Sequence, residues 1–195
     1  VFLFVDTVLE ALEQAGDAPA VFQGVPVVIF GILLSLGVLL AVGRRSGDKS
    51  PLGVATLIAL GIGLHNFGEG LAIGAAFATG AAALGSFLVI GFTLHNITEG
   101  VGIVAPLTRV ERPPLRTFLL LALLAGGPAI LGTWVGGLAF SPFLAALFLS
   151  IGAGAILQVI WEVGKMLTRD ARAAGGSALT WLNFGGLTAG IVIMY

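Results

Sequence analysis

Long apolar runs separated by short polar segments dominate the chain. The first, VFLFVDTVLEAL at 1–12, turns acidic and predicts the end of a partial span, and EQAGDAP at 13–19 predicts a loop. A helix that crosses a membrane needs about 20 apolar residues at a rise of about 1.5 Å each. Six later runs meet this requirement. They are residues 21–43, 52–78, 84–108, 117–140, 141–167 and 178–195.

Short connections rich in glycine, proline or charge separate these runs. The pattern predicts an all-α, polytopic transmembrane helical bundle of six full spans plus one partial span, with a single domain over residues 1–195. Within the run 117–140, Gly127 and Pro128 predict an interruption, because proline removes a donor and presses on the carbonyl four residues earlier. The clearest connections are RRSGDKSP at 44–51, TGAAALG at 79–85, RVERPPLR at 109–116 and TRDARAAGGS at 168–177.

Composition supports the membrane interpretation. Charged residues make up 10% of the chain and hydrophobic residues 57%, whereas soluble domains are about 25% charged. We therefore expect the lipid bilayer as a partner, and no nucleic acid, because the sequence has no basic patch. The absence of cysteine leaves only nitrogen and oxygen ligands for any metal.

The charges are divided between the two predicted faces. All nine Lys and Arg residues fall in or beside three alternate connections, which the positive-inside rule places in the cytoplasm. The other face carries acids near the first connection, and Tyr195 is a predicted interfacial anchor. The basic residues are Arg44, Arg45, Lys49, Arg109, Arg112, Arg116, Lys165, Arg169 and Arg172; the acids are Asp6, Glu10, Glu13 and Asp17.

A polar motif occurs twice inside the apolar sequence. HNFGEG at 65–70 returns as HNITEG at 95–100, an offset of 30 residues. This offset corresponds to one span plus a tight connection, so the copies are predicted on consecutive antiparallel helices at similar depth. At 3.6 residues per turn, the Glu of each copy lies about 40° from the His and about 60° from the Asn, on one stripe of its helix.

The residues of the two copies are candidate metal ligands. An imidazole and a carboxylate from each helix form a set suited to zinc or another first-row divalent ion, and the Asn carbonyls suit a second, weaker ion. A single polar residue in a membrane helix is often only a helix contact. Two buried carboxylates without Lys or Arg in either span favour a functional site instead. The candidates are His65, Asn66, Glu69, His95, Asn96 and Glu99.

Glu162 is one more acid within a predicted span, near its cytoplasmic end. It lies three residues before Lys165, so two interpretations remain open. It is either a helical ion-pair partner of Lys165 or a cation ligand on the exit side of the membrane.

At these residues the chain resembles the ZIP (Zrt/Irt-like) family of divalent-metal transporters. In that family the fourth and fifth of eight transmembrane helices carry HNxPEG-like motifs that bind metal. The resemblance also includes the GAGA sequence that precedes Glu162. It implies the eight-helix ZIP fold without its first helix and part of its second.

The chain departs from the family pattern at several positions. Gly68 and Thr98 replace the prolines usual inside the two motifs, and Gly127 replaces a glutamate that helps bind a second metal. Trp161 and Val163 flank Glu162 where relatives often have another ligand. The resemblance therefore implies one tightly held ion rather than two.

The resulting hypothesis is a non-enzymatic transporter of a divalent cation towards the cytoplasm. Its substrate is expected to be Zn²⁺, with Cd²⁺, Fe²⁺ and Mn²⁺ as alternatives. We expect the protein in the plasma (inner) membrane of a prokaryote, and a homodimer is one candidate assembly. One alternative is a membrane-embedded metalloenzyme that uses the same His/Glu cluster, although HExxH and ExxH pairs are absent. The other alternative is a scaffold with polar helix contacts.

Overall fold

The computed structural model describes residues 1–19, 24–47, 50–109 and 113–194. Within these ranges the chain forms helices and connections without strands, which confirms the all-α prediction. The elements are α1 Phe2–Asp17, α2 Gly24–Ser46, α3 Pro51–Ala78, α4 Ala82–Val104, a 3-10 helix at Ala105–Arg109, α5 Leu115–Ala139, α6 Pro142–Ala173 and α7 Trp181–Met194.

Five of the described helices, α2 to α6, are long and apolar enough to cross a membrane. The chain is thus a helical integral membrane protein. The predicted sixth span, 178–195, is described as α7, which has 14 residues. At about 1.5 Å per residue it is shorter than the hydrocarbon core of about 30 Å, so six complete spans are not confirmed. Tyr195 and its predicted anchoring role lie outside the described residues.

Two predicted loops are largely helical. α1 continues to Asp17 through most of the segment 13–19, and α6 continues to Ala173 through the first half of 168–177. Both segments contain Ala with Glu, Gln or Arg, which favour helix even beyond an apolar run. The chain leaves α6 at Gly175, whose φ of 68° is readily available to glycine.

α3 lies at the centre of the described bundle, and glycines allow it to approach α5 closely. It packs most extensively on α5 and also contacts α6 and α4. A Cβ added at Gly70 would overlap the carbonyl oxygen of Ala129, and one at Gly132 would overlap that of Phe67. The two backbones are therefore in direct contact, as small residues permit in membrane helices.

The predicted interruption of the fifth element is wrong, because α5 is continuous across Pro128. The carbonyl of Leu124, which Pro128 deprives of its usual donor, lies against Gly63 of α3. A Cβ at Gly63 would overlap this oxygen. A glycine on the neighbouring helix thus makes room for the Leu124 carbonyl and the Pro128 ring within a continuous helix.

α1 and α2 pack against α6 on the other side of α3. The Ser35 hydroxyl donates to the Ile151 carbonyl of α6 at 2.6 Å, and a Cβ at Gly154 would overlap the Ile32 carbonyl of α2. α6 is therefore held between α2 and α3. The interface between α3 and α6 joins the two sides of the bundle.

Candidate metal centre

The α3 copy of the motif is enclosed by protein. His65, Asn66 and Glu69 are 3%, 3% and 5% exposed, respectively. α5 and α6 both pack against α3, and a Cβ at Gly68 would lie 3.3 Å from Leu149 of α6, which is closer than ordinary van der Waals contact. The apolar surroundings leave these polar groups with few partners other than each other.

Three of the predicted ligands meet around one carboxylate. Nε2 of His65 donates to Oε1 of Glu69 at 3.0 Å, and Nε2 of His95 donates to the same oxygen from α4. One ligand atom from each of the three residues lies within 4.8 Å of the others. The structure thus brings ligands of both motif copies together across the α3–α4 pair.

This arrangement is compact enough to close around an ion after a small adjustment. Ligand atoms about 2.0 to 2.2 Å from a tetrahedral zinc ion lie about 3.4 Å from each other. Binding would replace the two hydrogen bonds to Glu69 by bonds to the metal, because each Nε2 must offer its lone pair rather than a proton. His65 Nδ1, which has no partner among the described residues, is then free to carry the ring proton.

Glu99 lies near the cluster but outside the three-residue group. It interacts electrostatically with His65, Glu69 and His95. Although the Asn66 side chain is nearby, both carboxylate oxygens of Glu99 are buried without a partner in hydrogen-bond geometry among the described residues. A buried carboxylate in this condition is suited to a cation.

The two asparagines of the motif behave differently. Asn66 donates from Nδ2 to the Ala125 carbonyl of α5 at 3.1 Å, whereas its amide oxygen, Oδ1, is buried without a partner among the described residues. Asn96 Oδ1, one turn before Glu99 on α4, is also buried and has no partner within the described part of the chain. These amide oxygens are weaker ligands than the carboxylates.

Glu162 lies far from the cluster along α6. Its carboxylate accepts from Lys165 Nζ at 2.8 Å, which confirms the predicted ion pair. Gly152 of the same helix abuts His65, and ten residues of helix correspond to about 15 Å. Glu162 instead lines a cavity of about 740 Å³ with Arg44 and Arg169. It cannot ligate the same ion as the cluster.

The sequence did not predict that Asp6, Glu10 and Gln158 would lie close to the cluster or to the helices that hold it. Asp6 interacts electrostatically with His95, and Glu10 with His65 and Glu69, so α1 brings two acids towards the cluster. Their spacing of four residues was the available signal, since it places both on one helix face. Gln158 is fully buried in α6, one turn before Glu162.

The departures from the ZIP pattern have visible consequences. α3 and α4 remain helical at Gly68 and Thr98, where the family prolines would stand, and the Thr98 hydroxyl donates to the His95 carbonyl at 2.6 Å. Among the residues that the structure describes, a Cβ at Gly127 would meet only Leu123 of its own helix within 4 Å. Position 127 lies about 200° around α5 from Ala125, which faces Asn66. A carboxylate at position 127 would point away from the cluster.

No family model matches the chain, and no curated protein or solved structure matches it. The fold and site define a helical integral membrane protein with a buried His/Glu cluster between two helices. Membership of the ZIP family stays a prediction from the repeated motif.

Proposed function

We propose that the protein transports a zinc-type divalent cation across the membrane, from the acidic face to the basic, cytoplasmic face. The observation that carries this proposal is the Glu69 carboxylate shared by His65 and His95 in the interior of the bundle. α3 and α4 contain no Lys or Arg to neutralise it. A charge at such depth is costly and is usually retained for function.

The ligand chemistry favours zinc over harder ions. Two imidazole nitrogens and a carboxylate oxygen match the donor set of Zn²⁺, and Glu99 supplies a further carboxylate close by. The same donors admit Cd²⁺, Fe²⁺ and Mn²⁺ as weaker alternatives. We infer one tightly held ion, since two divalent cations a few ångströms apart would repel each other strongly where the dielectric is low.

The charge distribution supports the proposed direction. Asp6 and Glu10 interact with the cluster from α1, and an acidic approach raises the local concentration of cations. Beyond the cluster, Glu162 lines the cavity beside the basic ends of α2 and α6. The ion would pass from one carboxylate region to the other through the α3–α6 interface.

Uptake of Zn²⁺ into vesicles tests this function. Purified protein is reconstituted into liposomes that contain a zinc-sensitive dye, and the unmodified chain is compared with Glu69→Gln. Asp17→Asn is the matched control, because it removes an exposed carboxylate at the end of α1. Zinc-dependent fluorescence that requires Glu69 but not Asp17 is expected. Equal uptake by all three proteins, or none by the unmodified chain, would refute transport through this cluster.

The same preparation separates the rival functions. A metalloenzyme would bind zinc at the cluster and hydrolyse a test ester or peptide without moving the ion. A scaffold would do neither. We expect uptake without hydrolysis.

Orientation is tested by labelling single cysteines in right-side-out membranes. A cysteine at Ser46, at the basic end of α2, should be protected from an impermeant thiol reagent. One at Ala82, at the start of α4, should react. The opposite labelling would reverse the proposed direction of transport.

A further inference from the structure

Gln158 is a polar side chain in the interior of the bundle that the cluster does not use. It is 0% exposed, and neither its amide oxygen nor its amide nitrogen has a partner among the described residues. A buried amide without hydrogen bonds is destabilising. Its presence therefore calls for a role that a well-packed apolar residue could not fill.

The position of Gln158 follows from the packing of α3 against α6. A Cβ at Gly152 would lie 3.2 Å from the Cα of His65, and one at Gly61 would lie 3.1 Å from Oε1 of Gln158. Residue numbers thus fall along α3 as they rise along α6, so the two helices run antiparallel. Gly61 is one turn from His65 on the same face of α3, and Gln158 Oε1 therefore lies one turn from the cluster towards the basic end.

Other polar groups continue along this interface in both directions. His65 Nδ1 is buried and unpartnered among the described residues, and a Cβ at Gly152 would lie 3.5 Å from it. Glu162 follows Gln158 by four residues on the same face of α6 and lines the cavity at the basic end. Between His65 and Glu162, Gln158 is the polar side chain of α6 in an otherwise apolar stretch, GAGAILQVIW.

We propose that the amide oxygen of Gln158 is a transient ligand for the cation on its way from the cluster to Glu162. This proposal rests on the proposed transport function. A carbonyl oxygen ligates divalent ions without carrying charge. A neutral ligand between two carboxylate sites binds the ion strongly enough for passage and weakly enough for release, as conduction through several sites requires.

Three variants at this position separate a transit role from a structural one. Gln158→Leu and Gln158→Met keep the volume but remove the amide, and Gln158→Glu adds a charge. The control is Ser150→Ala, since Ser150 is also fully buried in α6 but its hydroxyl is satisfied by the Leu147 carbonyl at 2.7 Å. Each protein is measured for equilibrium Zn²⁺ binding in detergent, melting temperature and uptake into vesicles.

Removal of the amide should affect passage but not the cluster. We expect Gln158→Leu and Gln158→Met to bind Zn²⁺ within about twofold of the unmodified protein, because the ligands at the cluster are unchanged. Their melting temperature should be equal or higher, since an unpartnered amide is gone, whereas uptake should fall at least about tenfold. Gln158→Glu should bind Zn²⁺ more tightly and also transport it more slowly. Ser150→Ala should match the unmodified protein in uptake.

Other results would overturn the proposal in distinguishable ways. Normal uptake by the Leu and Met variants would refute the transit ligand and leave the transport function standing. Lower melting temperatures in both variants, together with slower uptake, would assign Gln158 a structural role instead. Zinc binding without uptake by the unmodified protein would refute the transport function and this proposal with it.

Discussion

The two copies of the HNxxE motif have nearly the same sequence but very different surroundings. Within an 18-residue apolar stretch of α3, 50% of the residues are buried. In the corresponding stretch of the span Ala82–Thr108, which contains α4, 6% are buried. The side chain of His65 is 4% exposed and that of His95 is 15% exposed. The two motif copies therefore contribute to one shared site, but they are not equivalent in burial.

Packing explains this difference. α3 contacts α4, α5 and α6, whereas α4 contacts chiefly α3 among the described helices. Glu69 lies at the centre, where both histidines reach it, while Glu99 remains outside that group. α4 thus supplies ligands from the edge of the described bundle. Its exposed apolar residues include Phe87, Ile90, Leu94, Ile97 and Val101.

The largest difference between the copies should appear in the two glutamates. Glu69→Gln removes the carboxylate that both histidines share, so we expect Zn²⁺ affinity to fall at least about 100-fold, beyond the range for outer-shell partners. Glu99→Gln should weaken binding by about tenfold, within that range. Isothermal titration of both variants with Zn²⁺ measures these two losses of affinity. Equal losses would mean that the two copies contribute equivalently.

The glycines at the end of each motif form a second matched pair. A Cβ at Gly70 would overlap the Ala129 carbonyl of α5, whereas one at Gly100 would meet no atom of the described residues within 4 Å. Gly70→Ala should therefore destabilise the protein by about 1–3 kcal/mol through overpacking. Gly100→Ala should be neutral or stabilising, by up to about 1 kcal/mol from helix propensity.

Thermal unfolding in detergent compares these two glycine variants. A loss of stability in Gly100→Ala similar to that in Gly70→Ala would show that α4 packs as closely as α3. That result would contradict the contrast between the two copies.

The asparagines should show the smallest difference. Asn66→Ala removes the hydrogen bond to the Ala125 carbonyl, and such bonds between membrane helices contribute about 0.6 kcal/mol on average. Asn96→Ala removes an amide whose oxygen has no partner among the residues described, so the stability of this variant should be unchanged. Denaturant titration measures both variants. A larger loss for Asn96→Ala would place an unrecognised partner beside α4.

Much of this architecture could be predicted from sequence, because apolar run length fixes the existence of membrane helices. The offset between the motifs also predicted that His65, Glu69 and His95 would meet. Sequence did not predict the inequality of the copies, since burial of α3 depends on which glycines face α5. Periodicity alone likewise could not show that Gly63 accommodates Pro128, or that α6 places Gln158 between the cluster and Glu162.

Anomalous scattering from crystals soaked in zinc tests most directly whether the cluster binds the ion. We expect one strong peak per chain, about 2.0 to 2.2 Å from Nε2 of His65, Nε2 of His95 and a carboxylate oxygen of Glu69. A peak only at Glu162, or no peak at the cluster at saturating zinc, would contradict the central claim that these three residues bind the transported ion. Two equally occupied peaks at the cluster would contradict the inference of a single tightly held ion.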